Sequence, residues 1–235
     1  MDRQKRAIGI IGSMDAEISH YLKNSELKRE TRWNGITFYE TGLFGKKTVV
    51  VKSGVGKVFA AMVCERLIDE FGPGAVIFTG VAGALNRGLD IGDVVLSRVC
   101  IQYDLDAEAL GFPRGEIPYT HLREFKADEA LLSIAGGTKL KGSKVITGTI
   151  LTGDQFMTTK ETKEHKYLTE ELHGDVIEME GGSIAQVCTL NKIPFIIVRT
   201  VCDRADGTAA VDFNKFLPLA ARNSFNVVKN LLLNY

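Results

Sequence analysis

The chain carries no excess of charge of either sign. Lysine and arginine together number 29, and so do aspartate and glutamate. The basic surplus that marks nucleic-acid or anionic-membrane partners is therefore missing. No segment comes near the roughly 20 apolar residues that a membrane span needs. The basic start MDRQKR is followed by an apolar run at 7–11 that is too short for a secretory signal core and has no cleavage site behind it. Cysteine is sparse: Cys64, Cys100, Cys188 and Cys202 form no CxxC pair and no Cys/His ligand spacing. Each lies in an apolar run, which favours buried free thiols and a reducing, cytoplasmic setting. His20, His121, His165 and His173 are scattered over polar stretches without metal spacing. GxSxG elbows, Cys/His nucleophile pairs, internal repeats, low-complexity tracts and linkers are all absent.

The glycine loop KSGVGK at 52–57 fails both nucleotide-loop patterns. GxxxxGK[ST] would need glycine where Val51 stands, and Lys57 is followed by Val58; GxGxxG would need glycine at Phe59. The loop reads as a tight strand-to-helix turn, with the alternative that its backbone amides line a ligand pocket.

What is present is alternation. With 45% hydrophobic residues the chain can build a sizeable core. A buried strand at 6–11 leads through Gly12-Ser13 into a helix from Met14 to about Lys23. Segments 36–41 and 47–51 read as a hairpin around Gly45. A helix from Val58 to Phe71 ends at Gly72-Pro73. A strand at 75–79 enters the glycine-rich run 80–85, where glycine permits close approach of a ligand or simply marks a bulge. One or two strands at 94–103 precede a long loop at 104–119. A helix at 127–134, a strand at 144–151, a charged helix up to about Leu172 and a final long helix capped by Asp212 complete the pattern. This pattern favours one α/β domain spanning 1–235.

The stretch 175–206 reads as strand, helix, strand. It places Glu178 and Glu180 at the end of the first strand and Asp203 just after the second, which stops at Val201. If the strands at 6–11, 75–79, 144–151, 176–179 and 195–201 are all parallel, their following loops share one sheet edge, where ligands of open α/β sheets bind. Glu17, Glu180 and Asp203 would then share a cleft. Each has a plainer reading: a first-turn acid on a helix dipole for Glu17, a buried ion pair with Arg199 for Glu178, and a solvated turn for Asp203. Clustered carboxylates also raise one another's pKa, which lets one stay protonated near neutrality.

IGIIGSMDAEI at 8–18, SGVGKVFAA at 53–61, FTGVAGAL at 78–85, TGDQF at 152–156, IEMEGGSIAQVC at 177–188 and IPFIIVRTVCDRAD at 193–206 together resemble the bacterial 5′-methylthioadenosine/S-adenosylhomocysteine nucleosidases, within the purine nucleoside phosphorylase/nucleosidase superfamily. The resemblance implies a central, mixed, partly closed β-sheet flanked by α-helices. It implies hydrolysis of the N-glycosidic bond of adenine thionucleosides, with 5′-deoxyadenosine as a further substrate and with no metal or organic cofactor. Carried over, Asp203 would protonate adenine N7 and Glu17 would activate the attacking water. Met179 and Glu180 would grip the ribose, Arg199 would support the carboxylates including Glu178, and Met14 would pack near the ribose. Phe156 would stack on adenine and the backbone of Met157 would read its edge. A homodimer is implied, with the 104–118 loop closing the neighbour's site through Leu110 and Pro118. Val81 and Cys202 stand where the family often has serine, and Leu110 where it often has phenylalanine; these leave the preference for the 5′-substituent open. A phosphorylase would need a cationic phosphate site, yet no arginine lies in the 80–83 run and Glu17 would repel phosphate. A non-catalytic binding relative should lack the acids.

Overall fold

The computed structural model describes residues 6–157, 164–203 and 209–235, the last of these with side chains from 215 onward. Its first strand, β1 (Ile8–Gly12), is buried along its whole length. It lies between two parallel neighbours, β4 (Lys46–Lys52) and β5 (Ala75–Ala84). Apolar residues on both faces of β1 follow from helices on both sides of the sheet. Ile11 faces a core shared with Ala60, Val63, Cys64 and Leu67 of α2 (Lys57–Phe71). Ile8 and Ile10 face the opposite core, with Ile18 and Tyr21 of α1 (Asp15–Lys23) and Val227, Val228 and Leu231 of α6 (Ala209–Asn234). Helix α2 comes close to β1 because Gly9 has no side chain; a Cβ there would stand 2.6 Å from Leu67.

The sheet closes on itself. From β5 the pairing passes to β10 (Phe195–Asp203), then β6 (Val94–Gln102), β8 (Val145–Thr152) and β9 (Val176–Glu178), and returns to β5. Strands β1 and β4, with β3 (Ile36–Leu43) and β2 (Glu26–Trp33), extend from this ring as an open wing. A short strand β7 (Phe125–Lys126) pairs with β6, and α3 (Glu129–Gly136), α4 (Tyr167–Glu170), α5 (Gly181–Leu190) and a 3-10 turn at Glu108–Leu110 complete the described elements. The mixed, partly closed sheet is the one the resemblance implied, in a single α/β domain.

One topological expectation fails. The five strands are not all parallel: β1, β4, β5 and β10 run one way, and β6, β8 and β9 run the other. The acids still converge, for a different reason. Gly83 of β5 pairs with Asp203 of β10 on one side and with Ile177 of β9 on the other. Further back, the β9 side of β5 is occupied by β1, as far as Ile11 opposite Phe78. Strands β1 and β9 thus approach each other tip to tip along one edge of β5, and the gap between their carboxyl ends is the cleft.

Smaller departures have simple causes. Strand β2 carries the sequence ELKRETRW and is mostly exposed, so it shows none of the apolar alternation that marks a strand. Its connection to β3 is an Asn34-Gly35 turn with both residues at positive φ, the hairpin signal that was there to be read. The 80–83 run is not a loop; β5 continues through it. Asp203 ends β10 rather than following it. Helix α6 starts at Ala209, which puts Asp212 inside the helix rather than at its cap. Much of the charged helix expected before Leu172 falls at 158–163, outside the described residues. All four cysteines are buried and free, and the Cys64 and Cys188 sulfurs lie 3.7 Å apart between α2 and α5.

Truncating Leu67, which is fully buried under β1, should remove the contact that seats α2. Leu67→Ala is expected to lose about 2–5 kcal/mol in urea denaturation. A loss below about 1 kcal/mol would mean that the α2–β1 seam relaxes around the gap.

Candidate active site

Where β1 stops, Ser13 and Met14 turn the chain into α1, and Glu17 folds back over that turn. One carboxylate oxygen accepts from the Ser13 N–H (2.7 Å), the Ser13 hydroxyl (2.8 Å) and the Met14 N–H (3.0 Å). The other accepts from the Val81 N–H across the gap (3.1 Å). Glu17 therefore stabilises its own helix start, as the plainer reading held, and also faces the cleft.

Glu178 ends β9 and is consumed by structure. Its carboxylate accepts from the Gly181 N–H (2.9 and 2.7 Å) and the Glu180 N–H (3.1 Å), and also from the Thr152 hydroxyl and Arg199. It serves as the fixed anion at the positive start of α5. Glu180 is held by fewer partners: the Gly56 N–H at 2.9 Å and Arg199 Nη2 at 3.2 Å. Burial first, and then the neighbouring Glu178, push its carboxyl up to about 7, although Arg199 pulls the other way.

Arg199 stands in the middle of β10, fully buried, with its guanidinium 4.0 Å above the Phe78 ring. Its Nη2 meets both Glu178 and Glu180, and its Nη1 lies 3.9 Å from Glu17. Gly80 pairs with Arg199 across β5–β10. A Cβ at Gly80 would collide with both Arg199 Nη1 and the Glu17 carboxylate, so the glycine is there for space. Asp203, opposite Gly83, follows a register shift at the end of β10. Such a bulge re-aims the side chain beside it. The Cys202 thiol donates to the Asp203 carboxylate at 3.3 Å. Burial, and then the charge of Asp203, hold that thiol well above the usual cysteine range.

These groups surround one cavity of about 230 Å³. Met14, Glu17, Val81, Phe156, Met157, Glu178, Met179, Glu180 and Asp203 all line it, and Arg199 lies behind the carboxylates. Leu110 and Pro118 do not line it; Leu110 is 68% exposed. Sequence reasoning passed over Ser13, Val55, Gln155 and Ile177, which also line the cavity, and Thr152, which donates to Glu178. Ser13 and Thr152 sit where strands end, a position that could have drawn attention to their hydroxyls. Among the described residues no lysine, arginine or histidine lines the cavity, and no group of three His, Cys, Asp or Glu side chains could hold a metal ion. The lining combines apolar side chains, among them Val55, Phe156 and Ile177, with four carboxylates, Glu17, Glu178, Glu180 and Asp203, which suits a ligand with a flat apolar part and a hydroxyl-bearing part.

Comparison with known proteins agrees with this geometry. The family model of the phosphorylase superfamily matches residues 7–233. The 5′-methylthioadenosine/S-adenosylhomocysteine nucleosidase of Psychromonas ingrahamii is 37% identical over 97% of this chain and 98% of its own length. The solved nucleosidase of that name from Neisseria meningitidis, in complex with methylthio-immucillin-A, superimposes with a TM-score of 0.92 at 33% identity, covering 98% of this chain and all of that one. The futalosine hydrolase of Helicobacter pylori superimposes with a TM-score of 0.89 at 31% identity, covering 98% and 99%.

The raised carboxyl of Glu180 makes stability depend on pH. The folded chain keeps a proton there that the unfolded chain releases near 4.5, so this contribution is full below about 4.5 and is lost as pH rises through about 7. Glu180→Gln removes the dependence. In urea melts without ligand, the variant should gain on the parent between pH 4.5 and 7 by on the order of 3 kcal/mol. A difference that stays constant with pH would place the shared proton elsewhere in the cluster.

Proposed function

The chain belongs to the phosphorylase superfamily, and from that premise we propose that it is an N-glycosyl hydrolase that splits 5′-methylthioadenosine and S-adenosylhomocysteine into adenine and the thioribose. The observation that carries this reading is the charge of the cavity. Acids ring it, the cation at its back is engaged by Glu178 and Glu180, and no described cation faces the space where phosphate would bind. A phosphorylase needs the opposite arrangement. The nucleosidase names of the similar proteins, and the methylthio-immucillin-A bound to one of them, support the same choice.

In this reading Asp203 protonates adenine N7 as the glycosidic bond breaks. Glu17, its carboxylate fixed by Ser13, Met14 and Val81, holds the water and takes its proton. Glu180 and Met179 grip the ribose, with Glu180 accepting from its hydroxyls. The ribosyl group gathers positive charge as the base departs, and the surrounding carboxylates favour that state over the neutral substrate. Phe156 stacks on adenine and the backbone of Met157 reads its edge, while Met14 and Val81 pack beside the sugar. Arg199 pairs with Glu178 and Glu180 and supports both carboxylates. No step calls for a metal or an organic cofactor.

The protein works as a homodimer in this proposal, its 104–118 loop reaching the neighbour's cavity. Leu110 supports this: it is exposed and lies outside its own cavity. Among the described residues no helix is long and apolar enough to cross a membrane. The balanced charge and the four free thiols fit a cytoplasmic enzyme without nucleic-acid partners.

Incubation with methylthioadenosine, S-adenosylhomocysteine, 5′-deoxyadenosine and aminodeoxyfutalosine in phosphate-free buffer should release adenine from at least the first two. A requirement for phosphate would overturn the reading. Asp203→Asn and Glu17→Gln should each lower kcat by about 10²–10⁴-fold, with adenine binding retained in the Asp203 variant. Undiminished turnover in either would remove that residue from its role. In sedimentation the active species should be a dimer, and a fully active monomer would remove the shared-site proposal.

A further inference from the structure

The glycine turn before α2 matches no nucleotide-loop pattern, and the chemistry above leaves its lysine unused. Two consecutive amides of this turn reach different walls of the cavity. The Gly56 N–H donates to Glu180, on the sugar side, while the Lys57 N–H donates to Asp154 at 2.9 Å. Asp154 begins the segment whose next three residues, Gln155, Phe156 and Met157, line the other wall. The Lys57 ammonium meanwhile grips both oxygens of Asp104 at 2.7 and 2.8 Å, and Asp104 in turn accepts the Asp154 N–H at 3.0 Å. The interactions close into a ring: Lys57 side chain, Asp104, Asp154 backbone, Asp154 side chain, Lys57 backbone. Its lysine and Asp104 side chains are only 20% and 28% exposed, so solvent screens the pair less than it would a surface ion pair.

The backbone is shaped for this approach. Gly56 has φ +96°, and a Cβ there would lie 3.3 Å from the Asp154 carboxylate. At the start of the same segment a Cβ on Gly153 would press on the Tyr103 ring at 2.5 Å. Both glycines let Tyr103, just past β6, the start of α2 and the 154–157 segment come closer than side chains would allow.

We propose that Lys57, Asp104 and Asp154 form a positioning clamp that sets the distance between Glu180 and the base-side wall of the cavity. The proposal rests on the nucleosidase reading for its substrate. The clamp touches neither the breaking bond nor the water. Loosening it should therefore weaken the grip on the base in ground state and transition state alike, which raises KM and leaves kcat nearly unchanged. A surface ion pair with only a structural role would shift the melting temperature and leave both constants alone.

The test compares Lys57→Met, Lys57→Arg, Asp104→Ala and Asp104→Asn with the parent. Adenine affinity is measured by calorimetry and methylthioadenosine turnover by adenine release. Lys57→Met and Asp104→Ala should each weaken adenine binding and raise KM by about 10-fold, with kcat within about two-fold. Lys57→Arg should restore most of the affinity, and Asp104→Asn, which keeps an acceptor, should fall between. The double variant Lys57→Met/Asp104→Ala should be no worse than the weaker single variant, because one ring is opened either way. Unchanged affinity, a kcat loss as large as the KM change, or multiplied effects in the double variant would overturn the clamp. A parent that binds adenine but hydrolyses no thionucleoside defeats the nucleosidase reading alone, since affinity still reads the clamp. A parent that does not bind adenine defeats both.

Discussion

The arrangement depends on one buried guanidinium. Arg199 is fully enclosed and sits against Glu178, Glu180 and, at longer range, Glu17. Removing these groups from water costs several kcal/mol for each ion, and the attraction between them compensates only if the geometry is held. The fold holds it from several directions. Phe78 supplies a ring face beneath the guanidinium, Gly80 makes room beside it, and the Gly181 N–H at the start of α5 shares the charge of Glu178. One cation facing three acids leaves the cluster short of positive charge. Burial first, and then this crowding of acids, raises the carboxyl of Glu180, the acid with the fewest fixed donors.

The same cluster explains why two halves of a mixed sheet must meet where they do. Arg199 comes from β10, Glu178 from the end of β9, and Glu17 from the helix that follows β1. Two of these elements run one way and the third runs against them. The sequence pattern shows where strands begin and end but not their direction, because a buried parallel strand and a buried antiparallel one both read as an apolar run. Expecting five parallel strands was therefore a default of α/β folds, and it failed at β8 and β9. The acids gather all the same, because a long β5 offers one edge to two shorter strands that stop short of each other.

Legibility in the site follows the same division. Acids and glycines at or just beyond strand ends stood out in the residue pattern, Glu17, Glu180 and Asp203 among them, whereas Phe156 was reached only through the resemblance. Residues that act through geometry were not. Ser13 looked like half of a turn, yet it gives Glu17 two of its donors. Thr152 looked like the close of a strand, yet its hydroxyl bridges Glu178 and the Gly182 N–H. Glu178 and Glu180 could not be separated by spacing, since residues two apart in a strand share a face. What separates them is the start of α5, which binds the first through the Gly181 N–H and leaves the second, also at the cavity, with fewer fixed donors. Strand β2 was missed because its partners are one neighbouring strand and water, so it carries no hydrophobic pattern.

The sign of the cavity also bears on the choice between water and phosphate. A phosphate dianion entering beside Glu17 would meet a carboxylate already fixed by four donors, with no described cation lining the space to receive it. At 4 Å and an effective dielectric of about 20, each like-charge contact opposes entry by roughly 4 kcal/mol. Water meets no such barrier. The same negative charge that excludes the anion favours a sugar that becomes positive as its base leaves. Discrimination against phosphate and stabilisation of the ribosyl cation therefore need no separate devices in the proposed reaction. Both follow from placing more acids than bases around one gap in the sheet.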